Sequence, residues 1–300
     1  MAVILGCMLS RSMRLQRAGW PVLVGVLAGV VTVGTGCRQE HPQREAARKE
    51  PPRVEVRTIS QQALFAELTP VALQNCTLRR YGVPHDGGYL MCENLMGTAT
   101  GGYSYGIDGR DDWGCEVSRQ LTTTVHEYDC FNNIKPACDR GSLTFHDECV
   151  GGTATRVEGR PYDTLPNQLA RNKDGGKHLI VKMDIEGDEW ATLLATPDSV
   201  LDLIDQLVIE FHQRPGQPQP IADTIAKLKE HFYVAHFHAN NYGCSGGLEP
   251  FTSWANEVLL VNKKIGILDS SGRSPILPNT QDSPNNAEGP DCQPSFHPAK

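Results

Sequence analysis

The run HLIVKM (His178 to Met183) is almost unbroken in apolar character and stops at Asp184-Ile185-Glu186-Gly187. A strand with one wet face alternates polar and apolar residues. An unbroken apolar strand is covered on both faces, which is the condition at the centre of a parallel sheet between helices. The segment after it, Asp188 to Ala195, resumes helical spacing with Trp190, Leu193 and Leu194. QLVIEF (Gln206 to Phe211) is a second strand of the same kind, Ile221 to His231 an amphipathic helix, and Tyr233 to His238 and Glu257 to Val261 are further strands. Upstream, Tyr103 to Ile107, Thr123 to Tyr128 and Leu143 to Phe145 are expected strands, with helices over Glu116 to Leu121 and Asp163 to Arg171. Strand and helix units of this size predict an α/β fold, a three-layer sandwich around a mainly parallel sheet.

The ends of the chain are of another character. Arg11, Arg14 and Arg17, an apolar run from Trp20 to Val33 and then Gly34-Thr35-Gly36-Cys37 read as a targeting segment over residues 1–37. Small residues before Cys37 resemble the lipobox of bacterial lipoproteins, with Cys37 as the lipidation site. An uncleaved membrane anchor and an ordinary cleaved signal are the alternatives. Residues 38–57 read as a polar linker and 266–300 as a disordered tail, leaving one domain over 58–265. From Cys37 onward the chain carries 25 basic and 35 acidic side chains, a net of −10, which disfavours nucleic acid as a partner. Apart from Cys7 and Cys37, eight Cys remain: Cys76, Cys92, Cys115, Cys130, Cys138, Cys149, Cys244 and Cys292. An even set without a C-x-x-C pair points to disulfides formed in an oxidising compartment, with the connectivity open.

Open α/β sheets bind ligands beyond the carboxyl ends of their strands. Here those ends carry Gly106, Asp108, Asp129, Asp147, Glu148, Asp184, Glu186, Glu210 and His212. Gly106 and Gly109 allow close approach of a ligand, and Asp129 stands where an acid closing the second strand bonds a ribose hydroxyl pair. There is no full G-x-G-x-x-G and no Walker P-loop to cradle a diphosphate. A cationic nucleoside such as S-adenosylmethionine (SAM) therefore suits the carboxylate-rich strand ends better than NAD.

Tyr81-Gly82 with Asp86-Gly87-Gly88-Tyr89, SYGIDGRDDWG (Ser104 to Gly114), HEYD (His126 to Asp129), VKMDIEGDEW (Val181 to Trp190), IEFH (Ile209 to His212) and HFHANN (His236 to Asn241) resemble the methyltransferase-like domain family related to FkbM-type methyltransferases. The resemblance covers roughly residues 75–262. It implies a class I methyltransferase (Rossmann-like) sheet ending in an antiparallel hairpin, and SAM as cofactor. Carried over, Gly106 and Asp108 would flank the methionine moiety, Asp129 hold the ribose, Asp147 or Glu148 lie near the adenine, and Asp184 and Glu186 stand beside the transferring methyl.

Methyl transfer to a hydroxyl or carboxyl acceptor, a small molecule or a glycan, requires alignment and, for a hydroxyl, a base. His212 and His238 are the candidate bases, with Asp184 to orient either. His212, His236 and His238, with Asp184 or Glu210, form an alternative metal set. Export conflicts with SAM, which is held in the cytoplasm. Six basic residues follow the apolar run and three precede it, which by the positive-inside rule favours an anchored protein with a cytoplasmic domain. The lipobox-like Cys37 and the Cys count favour a lipoprotein facing the periplasm or exterior. The second functional reading is accordingly a membrane-tethered, non-catalytic binding protein that reuses the fold.

Overall fold

The computed structural model describes residues 60–213, 218–294 and 296. The targeting segment, Cys37 and the linker all lie outside the described residues, within which no helix is long and apolar enough to cross a membrane.

Helix α1 (Gln61–Glu67), capped by the Ser60 side chain, precedes a hairpin of β1 (Leu78–Tyr81) and β2 (Tyr89–Cys92). The main series follows as β3 (Gly101–Tyr105), α2 (Asp112–Leu121), β4 (Thr124–Asp129) and β5 (Ser142–Asp147). A small sheet of β6 (Cys149–Val150), β7 (Thr155–Val157) and β8 (Arg160–Asp163) interrupts it. The chain continues with α3 (Leu165–Asn172), β9 (Leu179–Met183), α4 (Glu189–Ala195), α5 (Asp198–Leu201), β10 (Ile204–His212), α6 (Pro218–His231), β11 (Phe232–Ala239) and β12 (Ala255–Asn262). Helix α2 starts earlier than the apolar spacing implied, because the Asp111 carboxylate accepts the Gly114 N–H at 2.7 Å and caps it.

The seven-stranded sheet has the order β11-β12-β10-β9-β3-β4-β5. β10, β9, β3, β4 and β5 run parallel, while β12 is antiparallel to both β10 and β11. The chain starts at β3, winds outward through β4 and β5, then returns to the other side of β3 for β9 and β10. The winding therefore reverses between β3 and β9, and adjacent loops diverge there to leave a crevice. Along β9 the side chains alternate between two apolar layers: Leu179, Val181 and Met183 face one, which includes Trp190, Leu193 and Ile225, while Ile180 joins Trp113, Val117 and Met91 in the other. This is the covering on both faces that HLIVKM required.

The eight Cys pair as Cys76–Cys92, Cys115–Cys138, Cys130–Cys149 and Cys244–Cys292. Four disulfides fit a chain that matures in an oxidising, extracytoplasmic compartment.

The expectation of a disordered tail over 266–300 is corrected for its described part. Leu268 bridges Leu73, Asp269 N–H donates to the Ala72 carbonyl at 2.9 Å, and Phe296 stacks on Phe65 at 4.3 Å between ring centroids. Further along, Asp282 meets His236 at 2.8 Å, Asn285 donates to Glu257 at 2.6 Å, and Asp291 meets His238 at 3.2 Å. The segment lacks apolar periodicity because polar contacts, one disulfide and the single ring of Phe296 hold it rather than a continuous hydrophobic face.

His238 is the anchor of that strap. Burial opposes its charge, yet hydrogen bonds to Asp291 and Glu257, with the charge of Asp282 beyond them, hold the imidazole up to about 10. Because the folded value lies above the unfolded one, the stabilisation is complete below about pH 6.5 and is lost as the pH rises through about 10. In urea titrations, wild type is expected to exceed His238→Gln by a few kcal/mol at pH 6, with the gap closing by about pH 10.5. A gap that persists unchanged at pH 10.5 would contradict a charged His238.

Candidate functional site

The crevice between β3 and β9 opens into a cavity of about 380 Å³, lined by Gly106, Asp108, Asp129, Asp184 and Glu186 among others. The sequence reading placed all five here. Gly106 has φ +72°, and a Cβ on it would stand 1.6 Å from the Asp184 carbonyl oxygen, so the β3 and β9 loops meet backbone to backbone. Beneath them, buried Lys182 donates to the Gly106 carbonyl at 2.8 Å, which explains a lysine within an apolar strand. Ser104 pairs in register with both Lys182 and Glu127, giving a buried polar row across β9, β3 and β4. Burial, with the neighbouring Asp111 charge, pushes the Glu127 carboxyl well above the ordinary range.

Asp129, the residue expected to hold a ribose, accepts four backbone N–H bonds in this structure. One carboxylate oxygen accepts N–H bonds from Ile107 and Asp108 at 3.1 and 2.9 Å, the other from Phe131 and Asn132 at 2.8 and 2.9 Å. The side chain ties the β3 loop to the β4 loop, and the Cys130–Cys149 disulfide ties the latter to β6 beside the cavity.

Asp147 and Glu148 are not among the cavity-lining residues, so the structure does not bring them to the expected adenine position. Glu148 instead pairs with Arg171 and accepts from Gln168 at 3.1 Å. What the sequence reading missed is an aromatic wall. Tyr105, Tyr128, Phe131 and Tyr162 line the same cavity, with Tyr105 and Tyr128 stacked at 5.1 Å. The signal was available, since Tyr105 and Tyr128 are the last apolar positions of adjacent parallel strands in direct register.

Behind the rim lies a group of acids around one imidazole. His212 Nδ1 is 2.8 Å from Glu189, while Nε2 stands 3.9 Å from Asp184, 3.7 Å from Glu186 and 3.7 Å from Glu210. Burial opposes its protonation, but the Glu189 hydrogen bond and charge, with Asp184 and Glu186, hold the ring above its ordinary value. Glu210 accepts from Asn240 at 2.8 Å, and Tyr89 donates its hydroxyl to Asp184 at 3.0 Å. Burial first, then the charges of Asp184, Glu257 and Asp86, push the Glu210 carboxyl well above the usual range. Asp184 thus faces the cavity on one side and His212 on the other.

His238 and His236 are elsewhere. Both are bound to the C-terminal strap, His238 through Asp291 and Glu257, His236 through Asp282. The proposal of His238 as a base and of a His212, His236 and His238 metal set is corrected: a shared strand face put the latter two together, but acids of the tail occupy them. Asp184, Glu210 and His212 are the members of the expected set that do converge.

Comparison with family models, curated proteins and solved structures gives no match for this chain.

Proposed function

We propose that the protein is a SAM-dependent methyltransferase that binds the cofactor in the cavity between β3 and β9 and methylates a hydroxyl or carboxyl acceptor. The observation that carries the reading is the position of that cavity, at the switch point of a sheet whose order and antiparallel last strand agree with the class I methyltransferase arrangement implied by the sequence motifs. The aromatic wall offers faces for an adenine or a sulfonium, and Asp108, Asp184 and Glu186 offer negative charge for the latter. In the transfer, the acceptor oxygen forms a bond to the methyl carbon as the carbon–sulfur bond breaks and its electron pair returns to sulfur. A hydroxyl acceptor's proton goes to His212, aligned by Glu189.

Titration calorimetry of the full chain with SAM tests this. Micromolar binding is expected, weakened about tenfold by Asp108→Ala, whose side chain among the described residues accepts from Asn132 at 2.9 Å, with near-UV circular dichroism to show that the variant is folded. Absence of binding by folded, oxidised protein would sink the reading. A second reading, a membrane-tethered extracytoplasmic binding protein without catalysis, is favoured by the four disulfides and by the full use of Asp129 in backbone bonds. It expects no SAM binding and retention of a polar ligand such as a glycan.

A further inference from the structure

We propose that Asp184, Glu210 and His212 bind one divalent transition-metal ion at the inner edge of the cavity. One ligand atom from each of the three lies within 4.8 Å of the others, a separation that small side-chain shifts bring to that of ligands sharing one ion. A second observation is independent of that clustering. His212 is 5% exposed, and its Nε2 has no hydrogen-bond partner among the described residues. The oxygens of Glu186, Glu210 and Asp184 surround it at 3.7 to 3.9 Å, beyond hydrogen-bond reach. A protonated ring would donate from Nε2 to nothing; a neutral ring would aim a lone pair at three acceptors. An ion placed among them resolves both, since two donors each about 2.1 Å from one centre stand roughly 3 to 4 Å apart.

The support behind the ligands has the form that metal sites use. Glu189 Oε1 accepts from His212 Nδ1 at 2.8 Å and from the N–H groups of Ile185 and Gly187 at 3.0 and 3.1 Å. The carboxylate therefore sets the tautomer that frees Nε2, and it is pinned to the loop that carries Asp184. Two carboxylates and one imidazole, without thiolate, suit Mn²⁺ or Zn²⁺ rather than a soft ion. Three protein ligands leave coordination positions open, as in catalytic rather than structural sites, and Asp184 among them also lines the cavity.

Binding of the ion does not depend on SAM. If the methyltransferase reading holds, an acceptor hydroxyl bound to the ion would lose its proton to water near neutrality, and His212, then a ligand, would not serve as the base.

The test is a Mn²⁺ titration of the chelator-treated, oxidised full chain, without SAM, followed by the loss of the free-ion electron paramagnetic resonance signal. Mn²⁺ is chosen because Cys7 and Cys37 hold it weakly. One ion per chain is expected, with Asp184→Asn and Glu210→Gln each weakening binding at least about tenfold and Glu189→Gln about 10- to 100-fold. Near-UV circular dichroism confirms that each variant is folded. If Glu189→Gln does not fold, the less buried Asp184→Asn decides the matter. No retained Mn²⁺ in wild type, or equal affinity in wild type and both ligand variants, would overturn the site. Mn²⁺ binding with no SAM binding would leave the site standing while the methyltransferase reading fell.

Discussion

Asp129→Ala is expected to lower the unfolding free energy by about 3 to 5 kcal/mol, independent of any cofactor. Hydrogen bonds to a charged acceptor contribute roughly 1.5 to 3 kcal/mol each, and four backbone N–H groups lose theirs at once, although such losses do not add in full. The position is 8% exposed, so water replaces the carboxylate poorly. Asp129→Asn recovers only half of the arrangement: its carbonyl oxygen satisfies one pair of N–H groups while its amide NH₂ faces the other pair, donor to donor. Urea unfolding with the disulfides intact gives the measurement. A wild-type midpoint for Asp129→Ala would return the residue to the ribose role, because its bonds to the loops would then carry no stability. The same reasoning makes Asp129→Ala a poor probe of cofactor binding.

Converting Cys244 and Cys292 to Ser together is expected to cost about 4 kcal/mol, the chain-entropy value for a closed loop of this length, which here spans 48 residues. The larger consequence is local. Cys292 lies just past Asp291, so the disulfide holds the acid that bonds His238, and its loss leaves that acid tethered to the domain through the chain behind Asn285. Limited proteolysis is expected to cleave the double variant beyond residue 266 while the wild type resists. Equal resistance in the two proteins would mean that the polar contacts of Asp269, Asp282 and Asn285 suffice without the crosslink.

The central sheet was legible in the sequence because its signal is local. HLIVKM and QLVIEF are buried on both faces and announce it, and the acids at their ends are where strand polarity puts them. Gly106, Asp108, Asp129, Asp184 and Glu186 reach one cavity for that reason. What each acid does there was not legible. Asp129 and Glu148 depend on which N–H groups or cations the folded loops bring within about 3 Å, and Ile107 and Arg171 become their neighbours only through tertiary structure. The tail was misread for a related reason. Residues 266–294 have no period of 2 or 3.6 because they form neither strand nor helix, and composition alone equates such a segment with disorder. His236 and His238 were correctly placed on one face of a strand. Their partners Asp282 and Asp291 lie 46 and 53 residues away, where no local pattern could nominate them.

The order of the disulfides along the chain bears on how the protein can mature. Cys76–Cys92 and Cys244–Cys292 each join cysteines that are consecutive among the eight, whereas Cys115–Cys138 and Cys130–Cys149 interlock. A chain oxidised as it emerges N-terminus first joins nearest thiols, which here gives Cys115 to Cys130 and Cys138 to Cys149. Neither pair is native, and while they persist the Cys130–Cys149 bond that ties the β4 loop to β6 beside the cavity cannot form. Correcting them takes attack by a free thiolate on the wrong disulfide, which passes through a mixed disulfide and releases a thiolate to form the native bond, not further oxidation. A chain that takes the nearest-thiol route therefore gains this tie beside the cavity only after thiol–disulfide exchange.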